Sequence, residues 1–130
     1  MTLRKERNIL VVDDASLSRS LVRTILSKYE FFNIFEASNA LSGLQKLREK
    51  KIDLLIADLH MPKMNGIEMV NAIRNDEKIK HISVLMISGE TDREIVVKAI
   101  NAGIDQYVLK PFSPEMLIEK VNLVFKKNNK

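Results

Sequence analysis

The sequence predicts an α/β domain organised on a parallel sheet. Short apolar runs alternate with helical patterns in strict βα order, five of each. Those runs are continuous rather than alternating, which marks strands covered on both faces. Four of the five end in side chains able to do chemistry: Asp13-Asp14, Asp58, Ser88 and Lys110. The carboxyl ends of the strands border the ligand crevice in an open α/β sheet, so these residues are expected on one edge.

After a charged lead-in, Asn8 to Val12 is a short run rich in β-branched residues. Ser16 to Tyr29 has helical spacing, with Leu17, Leu21, Val22, Ile25 and Leu26 expected on the buried face. Phe32 to Ala37 reads as the second strand. Ala40 to Lys50 is the second helix, with Leu41, Leu44 and Leu47 expected inward. The central strand, Leu54 to Ala57, delivers Asp58 to its tip, and Met61-Pro62 then forces extended or turning backbone. Ile67 to Arg74 forms the third helix, with Val70 and Ile73 inward, and a charged connector from Asn75 to His81 follows.

Ser83 to Ile87 is the fourth strand. The fourth helix, Asp92 to Ala102, stops at Gly103, a residue suited to a left-handed C-terminal position. Gln106 to Leu109 is the fifth strand. Ser113-Pro114 starts the last helix, serine as N-cap and proline at the first helical position. Leu117, Ile118, Val121, Val124 and Phe125 form its core face. The sequence contains no repeat or linker, and 1–130 is expected to be a single domain with a core over 8–127.

The chain of 130 residues is long enough to bury a core without staples. Its apolar content of 45% against 29% charged residues fits a globular protein rather than a disordered one. With no cysteine, thiol catalysis and cysteine metal sites are excluded, and a reducing cytoplasm is the expected setting. Nothing in the N-terminal sequence reads as a signal peptide or membrane span. The net charge of +4 is spread along the chain, with small groups at Arg4, Lys5, Arg7 and at Lys126, Lys127, Lys130. With seven aromatic residues and no tryptophan, no stacking surface for nucleic acid is expected.

Read singly, Asp14 serves as the N-cap of the first helix, Ser88-Gly89 as a turn, and Lys110 as a surface lysine. Together at one sheet edge they make a set of three carboxylates, one hydroxyl and one ammonium. Clustered carboxylates repel one another unless a cation joins them. Mg²⁺, a hard ion that takes oxygen ligands, suits that set. The combination matches phosphoryl transfer to a carboxylate, which needs no general base because it is already ionised at neutral pH.

Asp13-Asp14, Asp58 with Met61-Pro62 and Gly66, Ser88-Gly89, Tyr107 and Lys110-Pro111-Phe112 together resemble the receiver domain of two-component response regulators. The stand-alone chemotaxis type is the most similar. That resemblance implies a flavodoxin-like, doubly wound sheet of order 2-1-3-4-5, for which such regulators are a standing example. It also implies that Asp58 accepts a phosphoryl group from a sensor histidine kinase. Asp13, Asp14, Asp58 and the backbone carbonyl of His60 would hold Mg²⁺, and Lys110 would pair with the phosphoryl oxygens. Ser88 and Tyr107 would be the switch residues, the Lys110–Pro111 peptide would be cis, and the protein would be a cytoplasmic monomer.

Leu59 and His60 depart from the chemotaxis pattern just after the acceptor, and His60 and Glu90 stand two residues beyond Asp58 and Ser88, positions that in that family influence how water reaches the phosphoryl group. A sharper reading makes the His60 side chain itself a metal ligand. The fourth helix, with Ile95, Val96, Val97 and Ile100, carries more apolar width than one buried face requires. Val96 and Tyr107 are therefore expected on a partner surface, with the flagellar motor switch as a candidate target. The same residues would also serve a phosphorelay intermediate, a receiver cut from a longer regulator, or an aspartyl-nucleophile phosphatase. For the phosphatase, His60 stands where a second aspartate is required. The only glycines, Gly43, Gly66, Gly89 and Gly103, make no nucleotide-binding motif.

Overall fold

A computed structural model describes residues 6–128. Arg4, Lys5 and Lys130 of the charged terminal groups lie outside these. Five strands alternate with five helices: β1 (Asn8–Val12), α1 (Ser16–Lys28), β2 (Asn33–Ala37), α2 (Ala40–Glu49), β3 (Leu54–Asp58), α3 (Gly66–Arg74), β4 (Ser83–Ser88), α4 (Arg93–Ala102), β5 (Gln106–Leu109) and α5 (Pro114–Asn128). All pairings are parallel, in the order β2-β1-β3-β4-β5. The expected fold class and order are therefore found.

Successive strand residues point to opposite faces of a sheet, and both faces are buried. Leu10, Val12, Leu55, Ala57, Val84 and Met86 pack with α2, α3 and α4. Ile9, Val11, Leu54, Ile56, Leu85 and Ile87 pack with α1 and α5. Continuous apolar runs are the sequence signature of this two-sided burial. The five residues expected on the core face of α5 are all buried.

Three helix expectations are corrected. Leu17, Leu21 and Leu41 are exposed. Val22, Ile25 and Leu26 already fill the α1 contact; Leu21 lies about 100° round the helix from Val22, and Leu17 shares its outward row. On α2 the closest approach to the sheet is made by small residues: a Cβ at Gly43 would meet Met69 Cε and Val12 Cγ2, both at 2.8 Å. That approach leaves Leu41 outside. Asp14 does not cap α1 either. The N-cap residue is Ala15, whose N–H donates to Asp13 Oδ1 at 2.9 Å.

Other helix ends follow the sequence. Gly103 takes the left-handed conformation at φ 111°. Ser113 Oγ accepts the Met116 N–H at 3.1 Å. Asn65 and Glu68 form a reciprocal capping box at the start of α3.

Candidate functional site

Register alone brings the chemistry-bearing strand ends together. Val12 pairs with Ala57, so Asp13 follows β1 beside the point where Asp58 ends β3. Asp58 pairs with Ile87, and Ser88 with Leu109, which sets Ser88 and Lys110 along the same edge. This edge includes the β1–β3 boundary, where the strand order reverses. Open α/β sheets bind ligands at such a switch point.

Asp13, Asp14 and Asp58 each present a carboxylate oxygen within 4.8 Å of the others. Among the described residues, this is the one group of acidic, histidine or cysteine ligands close enough to hold a metal ion, and the His60 imidazole is not in it. An all-carboxylate donor set fits a hard dication rather than a soft one. Asp13 is buried, held by the Ala15 N–H on its side chain and by Arg19 Nη1, which donates to its carbonyl at 2.6 Å. Asp14 is exposed. Lys110 Nζ lies 3.8 Å from Asp58 Oδ2, and the Lys110–Pro111 peptide is cis, as expected.

Burial holds the Asp58 carboxyl above its ordinary value of 3.8. Lys110 pulls it down, the Asp13 charge pushes it up, the His60 N–H lowers it, and Asp14 raises it again. With its folded-state pKa above the unfolded one, the native protein binds this proton more tightly. The stabilisation is complete below 3.8 and is lost as pH rises through the folded value. At neutral pH, without a cation, the ionised group opposes folding. Asp58→Asn is expected to raise the denaturant midpoint at neutral pH in a chelator, with the advantage closing as pH falls towards 3.8. A lower midpoint for the variant at neutral pH would mean that the Lys110 contact outweighs burial.

Ser88 is fully buried, and its Oγ accepts the Glu90 N–H at 3.0 Å. Tyr107 is half-buried against the core, its hydroxyl donating to the Glu90 carbonyl at 2.8 Å. His60 turns its ring to Glu90, with Nε2 to Oε1 at 3.0 Å. Val96 is half-buried on α4, while Val97 and Ile100 are exposed; only Ala99 and Ala102 of that helix are buried. A cavity of about 460 Å³ opens beside the carboxylates, lined by Asp13, Leu21, Ile87, Lys110 and Phe112 among others.

Sequence reasoning missed Arg19 and the Asn65–Glu68 box. Asn-x-x-Glu ahead of an apolar run was a legible signal for the box. Arg19 carried no signal, because its partners, the Asp13 carbonyl and the Glu36 carboxylate on β2, are set by how α1 packs and not by any spacing in the sequence.

Residues 9–122 match the family model described as the response regulator receiver domain. The chain is 38% identical over 121 residues to the chemotaxis protein CheY of Pseudomonas aeruginosa, covering 93% of this chain and 98% of that one. It is 39% identical over 125 residues to CheY-3 of Vibrio cholerae, covering 96% of each. The crystallised CheY4 of Vibrio cholerae superposes with a TM-score of 0.84 at 30% identity, covering 91% of this chain and 98% of its own. Fold, acidic cluster and these relatives agree: the chain belongs to the response regulator receiver family and is a two-component signalling regulator.

Proposed function

We propose that Asp58 is the phosphoacceptor of a chemotaxis regulator that acts in the cytoplasm as a monomeric, single receiver unit. The carrying observation is the carboxylate of Asp58 held between two further carboxylates and the Lys110 ammonium at one sheet edge. The Asp58 oxygen attacks the phosphorus of a kinase phosphohistidine, a P–O bond forms as the P–N bond breaks, and the imidazole leaves with the bond's electron pair. Lys110 meets the negative charge on the phosphoryl oxygens. Asp13, Asp14, Asp58 and the His60 carbonyl would hold Mg²⁺, which when bound supplies further charge neutralisation at those oxygens. The chain does no chemistry on another substrate; it turns over only its own phosphoryl group. The test is intact mass after incubation with acetyl phosphate, with and without Mg²⁺.

The output is a protein contact. Ser88 turns from the Glu90 N–H towards the new dianion, Tyr107, already turned to the core, closes into the space it leaves, and a surface that includes Val96 changes shape. The relatives at 38–39% identity are chemotaxis proteins, which supports the flagellar motor switch as target. The exposed Val97 and Ile100 beside Val96 support α4 as the contact. Val96→Glu should cut target binding at least tenfold in a titration while leaving stability within about 0.5 kcal/mol. Loss of the folded state would place Val96 in the core instead. Among the described residues no helix is long and apolar enough to cross a membrane.

A further inference from the structure

Four hydrogen bonds converge on Glu90. Its N–H donates to Ser88 Oγ at 3.0 Å, and its carbonyl accepts from the Tyr107 hydroxyl at 2.8 Å. One carboxylate oxygen meets His60 Nε2 at 3.0 Å, and the other accepts the Asp92 N–H at 2.9 Å. One residue thus joins the loop after Asp58, the end of β4, the start of α4 and the aromatic of β5. Little else holds it there. Gly89, Thr91 and Asp92 are exposed, and a Cβ added at Gly89 would touch nothing within 4 Å.

A segment with so little packing keeps its conformation through its hydrogen bonds. The Glu90 carboxylate is the anchor: its side chain is 19% exposed, with one oxygen fixed at the N-terminus of α4. An ordinary surface His–Glu pair holds nothing, since two free side chains must be ordered to form it. Here the Asp92 N–H pre-places the carboxylate, so His60 closes a bond whose other half is already set.

We infer that Glu90 is the positioning residue of the switch. Tied to His60, its side chain fixes the carbonyl that receives the Tyr107 hydroxyl, and so holds the ring against the core before any phosphoryl transfer. When Ser88 Oγ leaves the Glu90 N–H, the bonds to His60 and Asp92 still keep the acceptor in place. The significance of the tie rests on the phosphoacceptor reading of Asp58, but its geometry does not.

The full chain has two tyrosines, Tyr29 and Tyr107, so 3-fluorotyrosine labelling gives a two-line ¹⁹F spectrum, assigned with Tyr107→Phe. Spectra are recorded without phosphodonor or Mg²⁺. In His60→Ala and in Glu90→Ala the Tyr107 line should shift, broaden or split, with a second state populated to roughly a tenth or more. The Tyr29 line should stay, and the double variant should add nothing. Glu90→Gln, which keeps an acceptor for the Asp92 N–H and an amide for the imidazole, should restore the native line. A Tyr107 line unmoved in either alanine variant overturns the inference. So does one that moves only together with Tyr29 and a falling melting point, including in Glu90→Gln. Absence of a phosphoryl adduct would sink the acceptor role of Asp58 and leave these spectra unaffected.

Discussion

Incubated with acetyl phosphate and Mg²⁺, the protein should gain the mass of one phosphoryl group, labile to hydroxylamine, and Asp58→Asn should gain none. Two arguments make this the largest expected effect. The nucleophile cannot be replaced by a neighbour: Asp13 is buried and occupied by the Ala15 N–H and Asp14 is exposed, so neither reproduces the approach to Lys110. The cation requirement follows from the clustered charges, since a phosphoryl dianion approaching three carboxylates is repelled unless positive charge is added. Chelation should therefore reduce the adduct to background in the native chain as well. An adduct that persists in Asp58→Asn, or that forms equally well in a chelator, would refute the assignment. The decay of the adduct would then report water access past His60 and Glu90.

Gly66→Ala should cost about 3 kcal/mol and lower the melting temperature by roughly 10 °C. The reason is space, not backbone torsion. A Cβ at Gly66 would stand 2.5 Å from the Asp58 carbonyl oxygen, 2.9 Å from Leu59 Cα and 3.1 Å from Met86 Cε. The methionine tip can move, but the two backbone neighbours cannot. The Gly66 N–H also donates to the Leu59 carbonyl at 2.7 Å, which pins the start of α3 against the end of β3. Forcing them apart shifts Asp58 itself, so phosphorylation by acetyl phosphate should slow along with the loss of stability. Gly89→Ala is the control, expected within about 0.5 kcal/mol of the native chain because that site is open. A Gly66→Ala midpoint equal to that of Gly89→Ala, measured by circular dichroism, would show that the α3 start yields without strain.

The gap between Gly66 and Gly89 marks the limit of a sequence reading. Gly89 directly follows a functional strand end and Gly66 opens α3, but neither local sequence shows that a Cβ would strike the Asp58 and Leu59 backbone at one and meet open space at the other. Arg74 is a similar case. It reads as an ordinary basic residue in the last turn of α3, yet its guanidinium donates to the carbonyls of Lys80, Ile82 and Gly103 and so ties the charged connector to the end of α4. Leu17, Leu21 and Leu41 show the same limit in packing. Helical spacing identifies apolar rows, but the direction of closest approach decides which row is buried.

By itself the sequence determined the order of elements, the parallel sheet and the placement of Asp13, Asp14, Asp58, Ser88 and Lys110 at strand ends. Those properties are written in local periodicity and in which residue ends each apolar run. Strand register then brings such ends together without further instruction. Only the tertiary structure decided that His60 meets Glu90, that Tyr107 donates to the Glu90 carbonyl, and that Asp13 accepts the N–H of Ala15, the residue that caps α1 in place of Asp14. Such contacts join loops far apart in the chain or turn on a single side-chain rotation. Neither leaves a period or a spacing in the sequence from which it can be read.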